Sequence, residues 1–307
     1  MTYDFETDPR YEPYLNYSLG VFAAGCALIS TLLNPLILFV YTRKEKTIKN
    51  FLFKLIAVSD FLTNLLPATF ISYVFLSSVK FEQYTFLNQV PEFFCCTFGC
   101  ISQVTVALMA ITRMVKFIRP FYTIKFKWVL TYLVVYAVYM VVGNAGFLIC
   151  AGMRDAQQTD EIFEHTTSEK WIKYSCITMN LLHCFVGIVC SFITVGYLWI
   201  EMKRNGHQYT RWNWRGSNTI LIMNIPYLIS IVINFLVLRQ NIGKNIDLVN
   251  HYVIPIFTSA FNPCVIVART EAVKVLARSI IRKARVPELR LDTLPLSEIP
   301  LSDPMSV

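Results

Sequence analysis

The sequence predicts an all-α membrane protein: a seven-transmembrane helix bundle plus a short amphipathic cytosolic helix. Three observations lead there. Of the 307 residues, 55% are hydrophobic and only 16% are charged, whereas a soluble domain carries about a quarter charged residues; the mean hydropathy is +0.48. The apolar residues gather into seven runs, each near the roughly 20 residues that cross a ~30 Å hydrocarbon core. The bilayer interior offers backbone groups no water, so such runs must be helical. Basic residues, finally, fall in alternate connections, as short cytosolic loops require.

Each element follows in order. Segment 1–17 is polar and acidic, with Asp4, Glu6, Asp8 and Glu12, and holds the one glycosylation sequon, Asn16-Tyr17-Ser18. Its start lacks the basic stretch of a cleavable signal peptide, so the first span is expected to direct its own insertion. That span, 19–40, leads to Arg43, Lys44, Lys46 and Lys49. The second, 51–77, carries Asp60, the only acid deep within any span. The third, 93–115, ends on Arg113 and is followed by Lys116, Arg119, Lys125 and Lys127. The fourth, 128–151, leads to an acidic connection, 152–171. The fifth, 172–200, precedes Lys203, Arg204, Arg211 and Arg215. The sixth, 217–238, and the seventh, 249–268, complete the bundle over 18–268. Segment 269–286 puts Val273, Leu276, Ala277, Ile280 and Ala284 on one helical face and Lys274, Arg278, Arg282 and Arg285 on another, the pattern of a helix lying on a membrane surface. Residues 287–307 alternate Pro with Ser, Thr and acids and read as a disordered cytosolic tail.

The charge asymmetry places the amino terminus outside, the carboxyl terminus in the cytosol and Arg113 at the cytosolic lip. The net charge of +8 is spread over four juxtamembrane clusters. It suits anionic inner-leaflet lipid, and nucleic acid is not an expected partner. The nine cysteines lie in or beside the spans without metal-site spacing. Cys150, Cys176 and Cys95 lie towards the oxidising side, where a disulfide among them is chemically open.

The polar residues inside the spans carry the functional signal. A lone intramembrane carboxylate marks a functional site by default. Asp60 shares its depth with Ser102, Ser259 and Asn262, oxygen-bearing side chains suited to a small cation such as sodium. The alternative is a protonated or water-bridged carboxyl that ties helices together. Pro226 and Pro263 each remove a helix hydrogen bond and permit a kink, hence a hinge; static shape is the competing reading.

Taken together, Asn34, the stretch Ala57-Val58-Ser59-Asp60, Thr112-Arg113-Met114 with Pro120 beyond it, Tyr197, Pro226-Tyr227 and Asn262-Pro263 resemble the signature of rhodopsin-like (class A) G-protein-coupled receptors over about residues 19–285. The match is to a divergent member, similar to invertebrate chemosensory or peptide receptors. The acid expected before the arginine is Thr112, and the following tyrosine is Met114. Asn224 stands two residues before Pro226 where a tryptophan is expected, Ile266 closes the seventh-span motif in place of tyrosine, and Val189 replaces the fifth-span proline.

The resemblance implies roles, residue by residue. Arg113, with Thr112, Met114, Pro120 and Tyr197, would couple to a heterotrimeric G protein, with arrestin a second cytosolic partner. Asn34, Asn224, Pro226, Asn262 and Pro263 would form the switch, and Asp60, Ser102, Ser259 and Asn262 would hold a sodium ion; no other cofactor is expected. An extracellular peptide or small chemical would bind beside Glu92, Cys95, Cys96, Asn180, His183, Tyr227, Asn234 and Tyr252. For His183, a satisfied polar core residue is the stronger alternative. Cys95 occupies the position that holds an aspartate in amine receptors, which disfavours small amines. The seventh span has no lysine, so no retinal Schiff base can form there. The expected location is the plasma membrane. A transporter or channel would line one path with several ionisable residues, and an intramembrane hydrolase needs paired carboxylates or a metal set. The spans hold neither, so no enzyme is expected. A signalling-deficient pseudo-receptor remains the nearest alternative.

Overall fold

The computed structural model describes residues 13–77, 85–119, 121–122, 124–157, 167–205, 208–240 and 253–285. Among these there is no strand. Helix α1 (Pro13–Thr42) is the first described element. Proline suits the first helical position, where its missing N–H would have no intrahelical partner. Helix α2 (Ile48–Thr63) starts on Thr47, whose hydroxyl accepts from the Asn50 amide at 3.2 Å. It runs through one π-helical stretch, Asn64–Ala68, into α3 (Thr69–Ser77), so that the three form one rod. Pro67 sits in that stretch. Its missing N–H and its ring disrupt regular α-hydrogen bonding, and a π-bulge is one way a helix passes such a point. The second predicted span is therefore an interrupted helix, not a uniform one.

Helices α4 (Thr85–Ile118), α5 (Phe126–Gln157), α6 (Thr167–Asn205) and α7 (Gln208–Gln240) follow, then α8 (Ile254–Arg269) and α9 (Glu271–Arg285). Several outrun the apolar stretches that predicted them. At 34 residues, α4 starts eight residues before the predicted 93. α5 and α6 take up most of the predicted acidic connection, and α1 reaches back into the predicted amino-terminal segment. Hydropathy reports where a helix meets lipid. The backbone hydrogen bonds that carry it beyond the lipid need no apolar side chains.

The rods close into a ring in which α1 packs on α2, α3 and α8, α8 on α7, α7 on α6, and α6 on α4. α4 is central and also contacts α2, α5, α7 and α8. Within its most apolar window 61% of residues are buried, against 22% for the peripheral α5. On α5, Val129, Leu133, Tyr136 and Met140 face the core at helical spacing, while Leu130, Val134, Val138 and Val142 form an exposed apolar stripe. A helix apolar on both faces suits one packed on protein on one side and on lipid on the other. Among the described residues, five helices are long and apolar enough to cross a membrane: Tyr17–Thr42, Ile48–Tyr73, Phe93–Ile118, Phe126–Gly146 and Thr178–Arg204. α7 and the 16-residue α8 complete the seven-membered bundle by their packing.

One end of the bundle is basic and ringed with aromatics. Arg43 lies over Phe39 at 4.1 Å, Lys203 over Trp199 at 3.8 Å and Lys127 over Trp128 at 5.6 Å. Aromatic rings beside cations are the pattern of a membrane–water interface. At the same end Thr270 turns α8 into α9; it is buried, and its hydroxyl meets the Tyr41 hydroxyl of α1 at 3.3 Å. α9 buries Ala272, Val273 and Leu276, and leaves Ile280 and Arg278 outward.

Candidate functional site

The middle of the bundle is a buried polar layer around Asp60, whose side chain is fully enclosed. The side chains of Ser102 on α4 and of Ser259 and Asn262 on α8 face its carboxylate, so three of the expected ligands converge with the fourth. They do not saturate it. Ser259 Oγ donates instead to the Pro255 carbonyl at 2.7 Å, and Asn262 Nδ2 lies 3.5 Å from Ser102 Oγ. Ser102, Ser259 and Asn262 lie close enough to bond the Asp60 carboxylate, but none meets either oxygen at strict hydrogen-bond geometry, and Asn34 Oδ1, Asn64 Oδ1 and Asn262 Oδ1 are likewise buried without a well-aligned donor. Asn34 joins the layer through Ser30: Asn34 Nδ2 donates to Ser30 Oγ at 2.7 Å, and Ser30 Oγ donates to the Asp60 carbonyl at 3.1 Å. Asn64, one turn beyond Asp60, donates to the same carbonyl at 3.4 Å.

Beside this layer stands the joint of α4, α6 and α7. Asn224 is buried; its Nδ2 donates to Ser191 Oγ on α6 at 3.2 Å and to the Ile220 carbonyl at 2.8 Å. Pro226 lies two residues on, buried inside a continuous α7, as Pro263 is inside α8. Gly187 lets α6 approach α4 closely. A Cβ there would lie 3.0 Å from Ala107 Cα and 3.1 Å from Asn224 Oδ1.

Arg113 lies near the basic end of α4, half-buried, with its Nε shielded from solvent. Thr112 does not stand in for the missing acid, because its hydroxyl turns back to the Met109 carbonyl at 3.0 Å. Met114 packs against the main core, and Tyr197 on α6 is exposed with its ring tilted on Phe117, 6.5 Å between centroids. Across from Arg113 on α7 is Gly216, which sequence reading passed over. Ile118, Phe121 and Tyr122, also at this end, are strongly exposed.

The expected ligand-facing residues are scattered. Tyr227 is buried and belongs to the polar layer, with Ser102, Asn262 and Asp60 as its electrostatic neighbours. Cys95 is fully buried in a small apolar cluster with Ala68, Ile71 and Ile256. His183, half-buried, is bonded to the Tyr132 hydroxyl of α5 and packed edge-on to Tyr136, 4.9 Å between centroids. Cys96 and Asn180 are half-buried, and Asn180 Oδ1 has no donor. Pro120, Tyr252 and the tail 287–307 lie outside the described residues. Asn16, Glu92 and Asn234 fall in helices, but their side chains, like those of Cys150 and Cys176, are outside the description. Ser30 and Asn64 were missed although a signal existed: each stands four residues, one helical turn, from Asn34 or Asp60.

No family model and no curated protein matches the chain. Among solved structures, the crystal structure of squid rhodopsin superposes with a TM-score of 0.64 at 14% identity, covering 94% of this chain and 91% of that one. At that identity the likeness establishes architecture. The chain has the seven-helix-bundle fold of that rhodopsin.

Proposed function

We propose that the chain is a rhodopsin-like receptor of the plasma membrane, amino terminus outside, that binds an extracellular peptide or small chemical and activates a heterotrimeric G protein. The observation that carries this reading is Arg113: within a receptor-like fold, its guanidinium is held between α4 and α7 at the basic end of the bundle. A ligand that binds better to a conformation with α7 swung outward shifts the population towards it and opens a crevice beside Arg113. Ile118, Phe121 and Tyr122 add an apolar rim of the kind that docks a protein partner, and arrestin would share it.

The resting state would hold a sodium ion at Asp60, Ser102, Ser259 and Asn262. The buried Asp60 carboxylate and the Asn262 Oδ1 lack a well-aligned donor there, and a cation would supply positive charge to both. The test of function is ligand screening in cells that express a panel of G-protein α-subunits. Arg113→Ala should abolish activation while surface expression persists; unchanged signalling would overturn the assignment. Activation absent from every condition, with intact surface expression, would mark a receptor fold that does not signal.

A further inference from the structure

Gly216 lies ten residues before Pro226, about 15 Å along α7 towards the basic end. The space its side chain would fill is already taken. A Cβ at this position would stand 2.7 Å from Arg113 Cζ and 2.5 Å from Arg113 Nη1, and closest of all to Nη2. No side-chain carbon tolerates such separations; carbon contacts are optimal at about 3.5–4.0 Å. The guanidinium therefore lies in a notch that exists only because residue 216 is glycine.

We propose that Gly216 is a socket that seats the Arg113 guanidinium against α7 and so holds the basic ends of α4 and α7 together in the resting conformation. Thr112 directs its hydroxyl into its own helix, and the rigid planar guanidinium packed into the notch at Gly216 couples the position of α4 to that of α7. Leaving the socket requires the segment of α7 before Pro226 to move away from α4, and that same motion uncovers Arg113 for a partner. Lock and docking group are then one residue. The signalling consequence rests on the proposed function; the geometric claim does not.

The glycines of this chain differ in a way that makes the claim testable. At Gly187 an added methyl meets helix backbone, Ala107 Cα. At Gly216 the three nearest atoms all belong to the far end of a flexible side chain, the Arg113 guanidinium, so alanine there displaces the arginine and leaves the helices able to fold. Alanine also favours helix over glycine.

The experiment is a double-mutant cycle on the full-length chain in nanodiscs, with spin labels at Ile118 and Arg215 reporting the α4–α7 separation. Gly216→Ala should lengthen and broaden that separation. In an Arg113→Ala background the same substitution should do nothing, because the truncated side chain leaves the notch vacant. An equal change in both backgrounds, or none in either, overturns the socket. If Gly216→Ala prevents folding, rescue by Arg113→Ala supports the socket, and failure to rescue overturns it. Ligand-free nucleotide exchange on G protein is read in parallel and should rise several-fold in Gly216→Ala. A coupled change in separation with no exchange under any condition would leave the socket standing and remove the G-protein reading.

Discussion

Asn34 Oδ1, both oxygens of Asp60, Asn64 Oδ1 and Asn262 Oδ1 are buried acceptors without well-aligned donors. Polar atoms left without a partner in this way cost roughly 1–3 kcal/mol each, and a cation bound at Asp60 would offset that cost for the carboxylate. A cation suits a buried carboxylate ringed by side-chain oxygens, because it adds the positive charge that the neighbouring hydroxyls and amide do not supply. Thermal unfolding of the purified protein should therefore shift upward in sodium relative to choline, by about 1.4 kcal/mol at ten times Kd. Asp60→Asn should abolish that shift. A sodium-independent melting curve for the unmodified chain would refute the site. Asp60 was readable as an isolated intramembrane acid, and its serine and asparagine neighbours as side chains of matching depth. The place of Tyr227 was not readable, because nothing in its own helix says whether its hydroxyl turns to an outer cavity or to the polar layer.

Among the helices, close approach decides the arrangement more than apolarity does. α6 meets α4 where Gly187 faces Ala107, and the Asn224–Ser191 bond ties α7 into the same contact. Gly187→Ala forces a methyl against helix backbone, an overpacking that costs about 1–3 kcal/mol. The measurable outcome is a lower melting temperature in detergent, with no recovery in an Arg113→Ala background. A melting temperature equal to that of the unmodified chain would show that α6 can yield. Helix number and order were legible from the apolar runs. Helix length was not, since α4, α6 and α7 carry on where the side chains turn polar. The π-helical stretch at Pro67 was also unread: a proline announces a break in hydrogen bonding but not how the helix passes it.

For the whole molecule, orientation governs every functional statement, since Arg113 serves a cytosolic partner only if its end of the bundle faces the cytosol. An epitope at the amino terminus should stain intact cells, and one at the carboxyl terminus only permeabilised cells. The opposite pattern would reverse the orientation and end the G-protein assignment. Residue type and period determined a helical chain of the membrane class, with seven apolar runs, Asp60 deep within the second and Arg113 near the end of the third. Hydropathy, charge bias and the 3.6-residue period are local quantities, written in consecutive residues. Only the tertiary structure decided that Tyr227 turns to Asp60, that His183 is satisfied by Tyr132, and that Arg113 rests on Gly216, 103 residues away. Such pairings depend on the rotation and spacing of packed helices, and those are set by the contacts of the whole bundle together.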